Sequence, residues 1–247
     1  MGKAIAELLA AEGHDVGITF HSDEAGAQDT RKGIEERGQR CFVAQQDTSD
    51  PQSTTRVTEE LIGQLGGVGV LVNNAGTGHS TPVLDLDLDT WRSVLATDLD
   101  GAFLNSQLAA RHMREQGRGG RIVNITSVHE HVPRYGATAY CVAKAGLGML
   151  TKSMALELAE HGITVNSVAP GEIATPMTGM EEQEAYHQSR EGNPIGRPGH
   201  VHEVASAVVF LASPRATYIT GSSLTVDGGL TLMAAHGHDT ATGWRSA

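Results

Sequence analysis

The sequence predicts an α/β protein with a doubly wound, mostly parallel, Rossmann-like sheet between two layers of helices. Short apolar segments of strand length alternate along the chain with segments of helical period. The links between them are short, and parallel strands need helical crossovers of this kind. Glycine is also frequent, 30 of 247 residues, without a collagen period, as expected for many tight strand–helix turns.

In the first half of the chain, helix and strand signals alternate from the first residues onward. Ile5, Leu8 and Leu9 share one face of an opening helix. Gly38 is placed to end the second helix and Pro51 to begin the third. The predicted elements are helices over 3–12, 24–37 and 51–64 and strands over 15–20, 41–44 and 68–72.

In the second half, a long helical signal carries Trp91, Val94, Leu99 and Phe103 on its apolar face. Two further helices alternate with three apolar strands, and the last strand ends at Val226. The predicted elements are helices over 89–116, 139–160 and 201–212 and strands over 121–126, 163–168 and 223–226.

Length and charge restrict the class of protein. The chain has 247 residues and a formal net charge of −11, which suits one domain with a real core and disfavours nucleic acid or anionic membranes as partners. Cys41 and Cys141 do not form a disulfide scaffold, and there is neither a signal peptide nor an apolar run of membrane-spanning length. We therefore expect a single domain over 1–247 in the cytoplasm.

The stretch 172–199 is the one long irregular segment, with three prolines. Loops of this length in compact domains are usually functional, so we expect a substrate lid. The alternative is a flexible insertion without a function of its own. Tyr186, Met177 and Met180 are candidates to close over a small apolar substrate, and packing without specificity is the other interpretation.

Polar residues follow most of the predicted strands. Ligands of doubly wound sheets bind at the carboxyl ends of the strands, so this pattern predicts one continuous crevice. The residues concerned are His21 and Ser22, Asp47 and Thr48, Asn73–Gly76, Ser127 with His129–His131, and Pro170–Gly171 with Ile173 and Thr175.

Tyr140 and Lys144 lie four residues apart, one turn above each other on a predicted helix. An ammonium beside a phenol lowers the pKa of the phenol from about 10, which makes Tyr140 a candidate proton donor or acceptor. Ser127 is placed to polarise a carbonyl at the same point. Taken alone, a tyrosine and a lysine at this spacing often occur by chance.

In combination, these features resemble the short-chain dehydrogenase/reductase family over nearly the whole chain. The resemblance implies a nicotinamide cofactor and reversible carbonyl–alcohol chemistry, with Tyr140 as acid/base, Ser127 as the anchor of the substrate oxygen and Lys144 holding the nicotinamide ribose and tuning Tyr140. The motifs are Asn73-Asn74-Ala75-Gly76, Ser127, Tyr140-x-x-x-Lys144, Pro170-Gly171 with Thr175, and Val226-Asp227-Gly228-Gly229.

The resemblance also implies a set of cofactor contacts. It puts Asn73, Ala75 and Gly76 beside the adenosine half, the Pro170–Thr175 turn against the carboxamide, and Asp47 at the adenine amino group.

The sequence departs from the family pattern in two places. Gly2 matches the last glycine of the family's Thr-Gly-x-x-x-Gly-x-Gly turn, so we expect a first strand and most of that turn to be missing from this chain, with weaker cofactor binding as the consequence. Asp98 stands where the family usually has Asn, and we expect its carboxylate to hold the water that relays protons to Lys144.

The residues just past Ser127 admit two interpretations. His129-Glu130-His131 lacks the helical spacing of a zinc motif, so a substrate-pocket edge formed by His129 is favoured over a metal site. Cys141 is expected to pack and not to act as a nucleophile.

The cofactor preference is predicted from the residues at the end of the strand over 15–20. Phe20-His21-Ser22 places no carboxylate against a 2′-phosphate there, which favours NADP over NAD. The rival hypotheses are an inactive nucleotide-binding or assembling relative and an enoyl reductase, the latter disfavoured by the Tyr–Lys spacing. The family resemblance further implies a homotetramer or homodimer.

Overall fold

The predicted alternation of helix and strand is present throughout the computed structural model, which describes residues 1–78 and 80–235. The helices are α1 Gly2–Ala11, α2 Glu24–Glu35, α3 Pro51–Leu65, α4 Leu88–Leu95, α5 Gly101–Gln116, α6 Thr138–Leu158 and α7 Val201–Ala212. The strands are β1 Val16–Phe20, β2 Cys41–Gln45, β3 Val70–Asn73, β4 Gly120–Ile125, β5 Ile163–Pro170 and β6 Ser223–Val226.

The described strands form a two-stranded and a four-stranded parallel sheet. β1 pairs with β2, and β3, β4, β5 and β6 pair in that order. Every pairing between described strands is parallel, because each connection passes through a helix. The structure confirms the predicted α/β, doubly wound, Rossmann-like class.

Alternate residues of the central strands enter two different cores. Val123 and Ile125 of β4 pack with α1 and α7, whereas Ile122 packs with Met113 of α5 and Met154 of α6. This two-residue period shows that helices cover both faces of the sheet. β5 is buried at all of its positions, as expected for its central place.

The long helix predicted over 89–116 is instead α4, a π-helical turn over Ala96–Asp100, and α5. A π-helical turn accommodates an extra residue and is frequent at functional sites. The residue directly after this turn is Gly101. A side chain does not fit there, because a Cβ would lie 2.4 Å from the carbonyl oxygen of Thr48. The turn carries Asp98, which is buried.

The segment 172–199 folds back onto the sheet edge through short 3-10 turns over Pro176–Thr178 and Glu182–Tyr186. An isolated parallel bridge joins Ile173 to Gly199, and Arg190 Nε lies 2.8 Å from Glu172 Oε1. The segment therefore has defined anchors at both ends. Among the described helices, none has the length and apolar character needed to cross a bilayer.

Candidate active site

Four of the predicted catalytic residues come from three neighbouring elements at the carboxyl edge of the sheet. Ser127 follows β4, Tyr140 and Lys144 stand one turn apart on α6, and Asp98 projects from the π-helical turn. The side chains of Lys144 and Asp98 are only 4% and 0% exposed, so solvent barely reaches the two charges. Charges buried to this degree interact far more strongly than they would on the surface.

The side chain of Ser127 lies close enough to the Tyr140 hydroxyl to lower the pKa of the phenol. The backbone N–H of His129 donates to Ser127 Oγ at 3.2 Å, which fixes the serine side chain. The His129 ring meets the Tyr140 ring edge-on with 6.2 Å between centroids, and its Nδ1 lies 3.0 Å from the Val132 carbonyl oxygen. Serine, tyrosine and histidine thus border one small space.

Lys144 is held by two acceptors. Its Nζ lies 3.3 Å from Asp98 Oδ2 and donates to the Ile125 carbonyl oxygen at 3.2 Å. Asp98 Oδ1 accepts the Thr77 N–H at 2.8 Å, so the carboxylate joins the turn after β3 to α6. Lys144 Nζ lies 5.5 Å from the centre of the Tyr140 ring, on the same side of α6.

The prediction that Lys144 lowers the pKa of Tyr140 is wrong for this structure. Burial raises the pKa of Tyr140; the hydrogen bond from Ser127 opposes this, and the nearby Asp98 carboxylate raises it further. The main physical reason is the burial of the phenol, and the Asp98 carboxylate, which lies against Lys144, adds to it. Burial also raises the pKa of Asp98, although Lys144 pulls it in the opposite direction.

Gly76 is packed directly against the buried ion pair. A Cβ at this position would lie 3.2 Å from both Asp98 Oδ2 and Lys144 Nζ, so a side chain would crowd the two charged groups. Asn74 Oδ1 is buried without a hydrogen-bond partner among the described residues, and Asp98 Oδ2 has only its ion pair with Lys144. Buried acceptors of this kind are places where a ligand hydroxyl fits.

A cavity of about 790 Å³ runs along β1 and β3 and reaches Asn74 and Ala75, but Ser127, Tyr140, Lys144 and Asp98 do not line it. α1 begins beside it at Gly2, and no side chain caps the first amides of this helix. Free amides at a helix amino terminus suit an anionic group. The predicted cofactor residues that line it are Gly2, His21, Ser22, Thr48, Asn73 and Ala75.

Two predicted cofactor residues are already engaged inside the protein. Asn73 Nδ2 donates to Asn124 Oδ1 and to Ser106 Oγ, each at 2.8 Å, so its amide ties β3 to β4 and α5. Asp47 accepts the Ser49 N–H at 2.9 Å and the Ser49 hydroxyl at 2.6 Å, and these bonds lower the pKa of Asp47. A contact of Asp47 with the adenine amino group stays a prediction.

The predicted carboxamide turn after β5 is ordered by its own hydrogen bonds. The Gly171 N–H donates to the Val226 carbonyl oxygen at 3.0 Å, next to the buried end of β5 at Pro170. The Thr175 N–H donates to Thr178 Oγ1 at 3.1 Å, and Ile173 is buried in the core shared with α7. The turn is therefore rigid before any ligand binds.

Tyr186, a predicted substrate residue, lies elsewhere than expected. It is 57% exposed and stacks on His200 with 5.2 Å between ring centroids, while the Arg197 guanidinium lies 4.8 Å from the centre of its ring. No described contact joins it to Tyr140. Contact of the 172–199 segment with substrate stays a prediction, and Tyr186 acts here as an anchor of that segment.

Sequence reasoning missed several residues of the site. Thr77 and Ile125 contribute only backbone groups, and no side-chain pattern signals such a role. Glu130 is buried against Gly148 of α6 and lies 2.9 Å from His131 Nε2, so it belongs to the packing behind the site. Within residues 1–78 and 80–235, no group of three or more His, Cys, Asp or Glu residues is placed to hold a metal ion.

The fold and the site together define an oxidoreductase that works with a dinucleotide. A family model described as enoyl-(acyl carrier protein) reductase matches residues 1–231. The chain belongs to the short-chain dehydrogenase/reductase family, whose members are NAD(P)-dependent and act on CH–OH and C=O groups.

Individual relatives match over almost the whole chain. The chain is 52% identical over 232 residues to the Escherichia coli K12 protein named Uncharacterized oxidoreductase YohF, covering 94% of this chain and 92% of that one. It is 40% identical over 233 residues to the 3-oxoacyl-[acyl-carrier-protein] reductase FabG of Vibrio cholerae, covering 94% and 93%. The crystal structure of acetoin dehydrogenase YohF from Salmonella typhimurium superposes with a TM-score of 0.87 at 52% identity, covering 93% and 92%.

Proposed function

We propose that this chain catalyses reversible hydride transfer between NADP(H) and a small ketone, diketone or secondary alcohol. The observation that carries the proposal is the approach of Ser127 to the Tyr140 hydroxyl, beside the buried pair of Lys144 and Asp98. When bound, the nicotinamide supplies or accepts the hydride. The protein supplies the proton and holds the substrate oxygen.

Each side chain has a role that follows from its position. Ser127 donates to the substrate oxygen, and Tyr140 transfers the proton at its hydroxyl. Because the pKa of Tyr140 is raised, the phenol is protonated at neutral pH, which suits carbonyl reduction. Lys144 holds the ribose hydroxyls, and Asp98 keeps the ammonium in place and accepts from the relaying water.

The substrate class is supported by the relatives. The Salmonella typhimurium structure is named acetoin dehydrogenase, and the Vibrio cholerae protein is named for a 3-oxoacyl substrate. Both names describe carbonyl or hydroxyl groups, so we assign a small hydroxyketone or diketone to the space beside His129. The segment 172–199 is assigned as the lid over that space.

The preference for NADP over NAD rests on the groups at the end of β1. His21 and Ser22 line the cavity, and so does Lys3, which is paired with Asp29. The nearest carboxylate, Asp23, accepts the Gly26 N–H at 2.9 Å and caps α2. These groups suit a 2′-phosphate better than a pair of free ribose hydroxyls.

The assembly that we propose is a homodimer or homotetramer. Large apolar side chains of α5 and α6 remain exposed, including Phe103, Met149 and Leu156. Such side chains are suited to burial against a second copy.

The test is NADPH oxidation with diacetyl, followed by the absorbance of the nicotinamide. We expect Tyr140→Phe to reduce turnover at least about 1,000-fold and to leave NADPH binding intact, because only the proton donor is lost. Tyr135→Phe is the matched control, since this tyrosine just before α6 is 87% exposed. Retained turnover in Tyr140→Phe would refute the assigned role.

An enoyl reductase is the second candidate, favoured by the description of the matching family model. It is tested by offering an α,β-unsaturated ketone and identifying the product. A saturated ketone would show reduction of the carbon–carbon bond, whereas an allylic alcohol supports the proposed carbonyl reduction. NADPH binding without turnover of either substrate would support the inactive relative.

A further inference from the structure

Four flat side chains form a continuous stack between the segment 172–199 and the start of α7. The Arg197 guanidinium lies 4.8 Å from the centre of the Tyr186 ring, and Tyr186 stacks on His200 with 5.2 Å between ring centroids. His200 stacks in turn on His202, with 5.1 Å between the centroids and 11° between the ring planes. The first two side chains belong to the segment and the two imidazoles to the start of α7. The stack therefore holds the segment against the helix.

His200 also caps α7 through its side chain. Its Nδ1 accepts the backbone N–H of His202 at 3.2 Å. A backbone N–H can only donate, so Nδ1 carries no proton in this arrangement and the neutral imidazole keeps its proton on Nε2. Protonation places a hydrogen on both ring nitrogens and removes the acceptor. The cap and a protonated His200 therefore exclude each other.

An added proton would also bring like charges together. The hydrogen bonds to Glu203 raise the pKa of Arg197, so the guanidinium at the end of the stack stays charged. A protonated His200 would lie one ring away from this cation and directly against a second imidazole. The amino terminus of α7 carries the positive end of the helix dipole, which disfavours a cation at the cap. The arrangement therefore stabilises the neutral form of His200.

Glu203 is the carboxylate that faces His200 in the described part of the chain, and Arg197 already neutralises it. Glu203 accepts the His200 N–H at 2.7 Å and binds Arg197 at 2.7 and 2.9 Å. The hydrogen bonds from Arg197 lower the pKa of Glu203 to about 2, so Glu203 keeps its charge near neutral pH. Histidine side chains, in contrast, ordinarily change charge between about pH 5 and about pH 8. A change in the stack over that range is therefore expected from the imidazoles.

Three further carboxylates of the segment act on other groups. Glu184 accepts a backbone N–H of its own turn at 3.0 Å. Glu172 accepts from Arg190 Nε at 2.8 Å. Burial lowers the pKa of the Met1 amino group, and Glu182 opposes this. These three carboxylates thus have partners other than the two imidazoles.

The stack is connected to the mouth of the active site through the backbone. Gly199 directly precedes His200 and forms the parallel bridge to Ile173. A few residues after Ile173, Met177 Cγ lies 3.7 Å from an ideal Cβ on Gly78, in the loop after β3. The residue before Gly78 donates its N–H to the buried carboxylate of the site. Loss of the stack would therefore loosen a segment that borders the catalytic group.

We propose that His200 is a pH-sensitive switch: when it takes up a proton, α7 loses its cap, the stack separates, and the 172–199 segment is released from α7. The segment is held when Nδ1 is free to accept, and it is released as the pH falls. The release does not depend on the redox chemistry. Its effect on turnover rests on the proposed function, in which this segment covers the substrate.

The experiment measures amide hydrogen exchange of the full chain at about pH 7.5 and about pH 5.5, which bracket the ordinary titration of histidine. Each rate is divided by that of an unstructured peptide at the same pH, which gives a protection factor. We expect the protection factors of the hydrogen-bonded amides over 174–188 to fall about tenfold at the lower pH. Those of β4 and β5 should stay the same, which shows that the chain remains folded.

His200→Asn is the decisive variant. Asparagine accepts an N–H at a helix cap but does not titrate, so the segment should be equally protected at both pH values. His161→Asn, in the turn after α6 and outside the stack, is the matched control and should respond as the unchanged protein does. A second measurement needs no variant: NMR of ¹⁵N-labelled histidine follows protonation of His200, and protection of the segment should be lost with the same midpoint.

Turnover supplies an independent comparison. We expect KM for diacetyl to rise at least about threefold between the two pH values, with no such rise in His200→Asn. Absence of diacetyl turnover would contradict the proposed function, and hydrogen exchange would still decide on the switch. Equal protection of the unchanged protein at both pH values, the same fall in His200→Asn, or separate midpoints would overturn the proposal.

Discussion

At the scale of single residues, the pair of Asp98 and Lys144 governs the chemistry of the site. Both side chains are buried, and their charged atoms lie 3.3 Å apart. A buried pair is of uncertain benefit to stability, but removing one partner leaves an uncompensated charge. The carboxylate also raises the pKa of Tyr140, so the pair connects stability to catalysis.

Asp98→Asn should therefore change both properties. We expect the free energy of unfolding to fall by about 3 kcal/mol, because Lys144 stays buried without its counter-charge. The pKa of Tyr140 should fall, because the carboxylate that raises it is gone. The rate of carbonyl reduction, which needs the protonated phenol, should then decline at a lower pH than in the unchanged protein.

The measurement is the pH profile of kcat together with urea unfolding. Asp100→Asn is the matched control, since Asp100 lies in the same π-helical turn but is exposed. If Asp98→Asn left the rate and the pH profile as they are, the assigned role of Asp98 would be wrong.

A second residue-scale prediction concerns the cofactor phosphate. His21 lines the cavity at the end of β1, so His21→Asp places a negative charge against a 2′-phosphate. We expect kcat/KM for NADPH to fall about tenfold or more, and that for NADH to change little. Thr217→Asp adds the same charge at an exposed residue outside the cavity. A similar loss with both cofactors would argue against NADP specificity at this position.

At the scale of elements, end signals in the sequence predicted helix limits well. Pro51 begins α3, the helix predicted over 201–212 is α7, and the strand predicted over 223–226 is β6. The π-helical turn was not predictable, because Asp98 turns inward through contacts with Thr77 and Lys144 that are remote in sequence. The stacking of Tyr186 on His200 was not predictable either, since His200 lies outside the segment 172–199; contact of Tyr186 with substrate stays a prediction.

The link between the 172–199 segment and α7 is electrostatic. Arg197 binds Glu203 through two contacts of 2.9 and 2.7 Å, and Glu203 also accepts the His200 N–H at 2.7 Å. The pair with Arg197 lowers the pKa of Glu203 from 4.5 to about 2. A lowered carboxyl pKa stabilises the folded state above pH 4.5, and this stabilisation is lost as the pH falls toward about 2.

Glu203→Gln should remove that pH dependence. We expect the variant to be less stable than the unchanged protein at pH 7 by about 1 kcal/mol, with the difference shrinking as the pH falls through the range below 4.5. Unfolding by urea at several pH values measures this, and Glu157→Gln on exposed α6 surface is the control. A difference that stayed constant with pH would contradict the assigned ion pair.

At the scale of the whole molecule, the sequence predicted the layers and most of the catalytic group. Tyr140 and Lys144 meet Ser127 because strand ends and a helix face are local properties that patterns report. The direction of the Tyr140 pKa shift was wrong because it depends on burial and on Asp98, which only the folded chain brings near.

The central claim is that hydride reaches a carbonyl carbon while Tyr140 supplies the proton. The most direct test is to incubate the protein with diacetyl and NADPH that carries two deuterium atoms at nicotinamide C4, and to locate the label in the product by NMR. We expect one deuterium on the new carbinol carbon, and none with Tyr140→Phe. Deuterium at another carbon, or the same labelling with Tyr140→Phe, would contradict it.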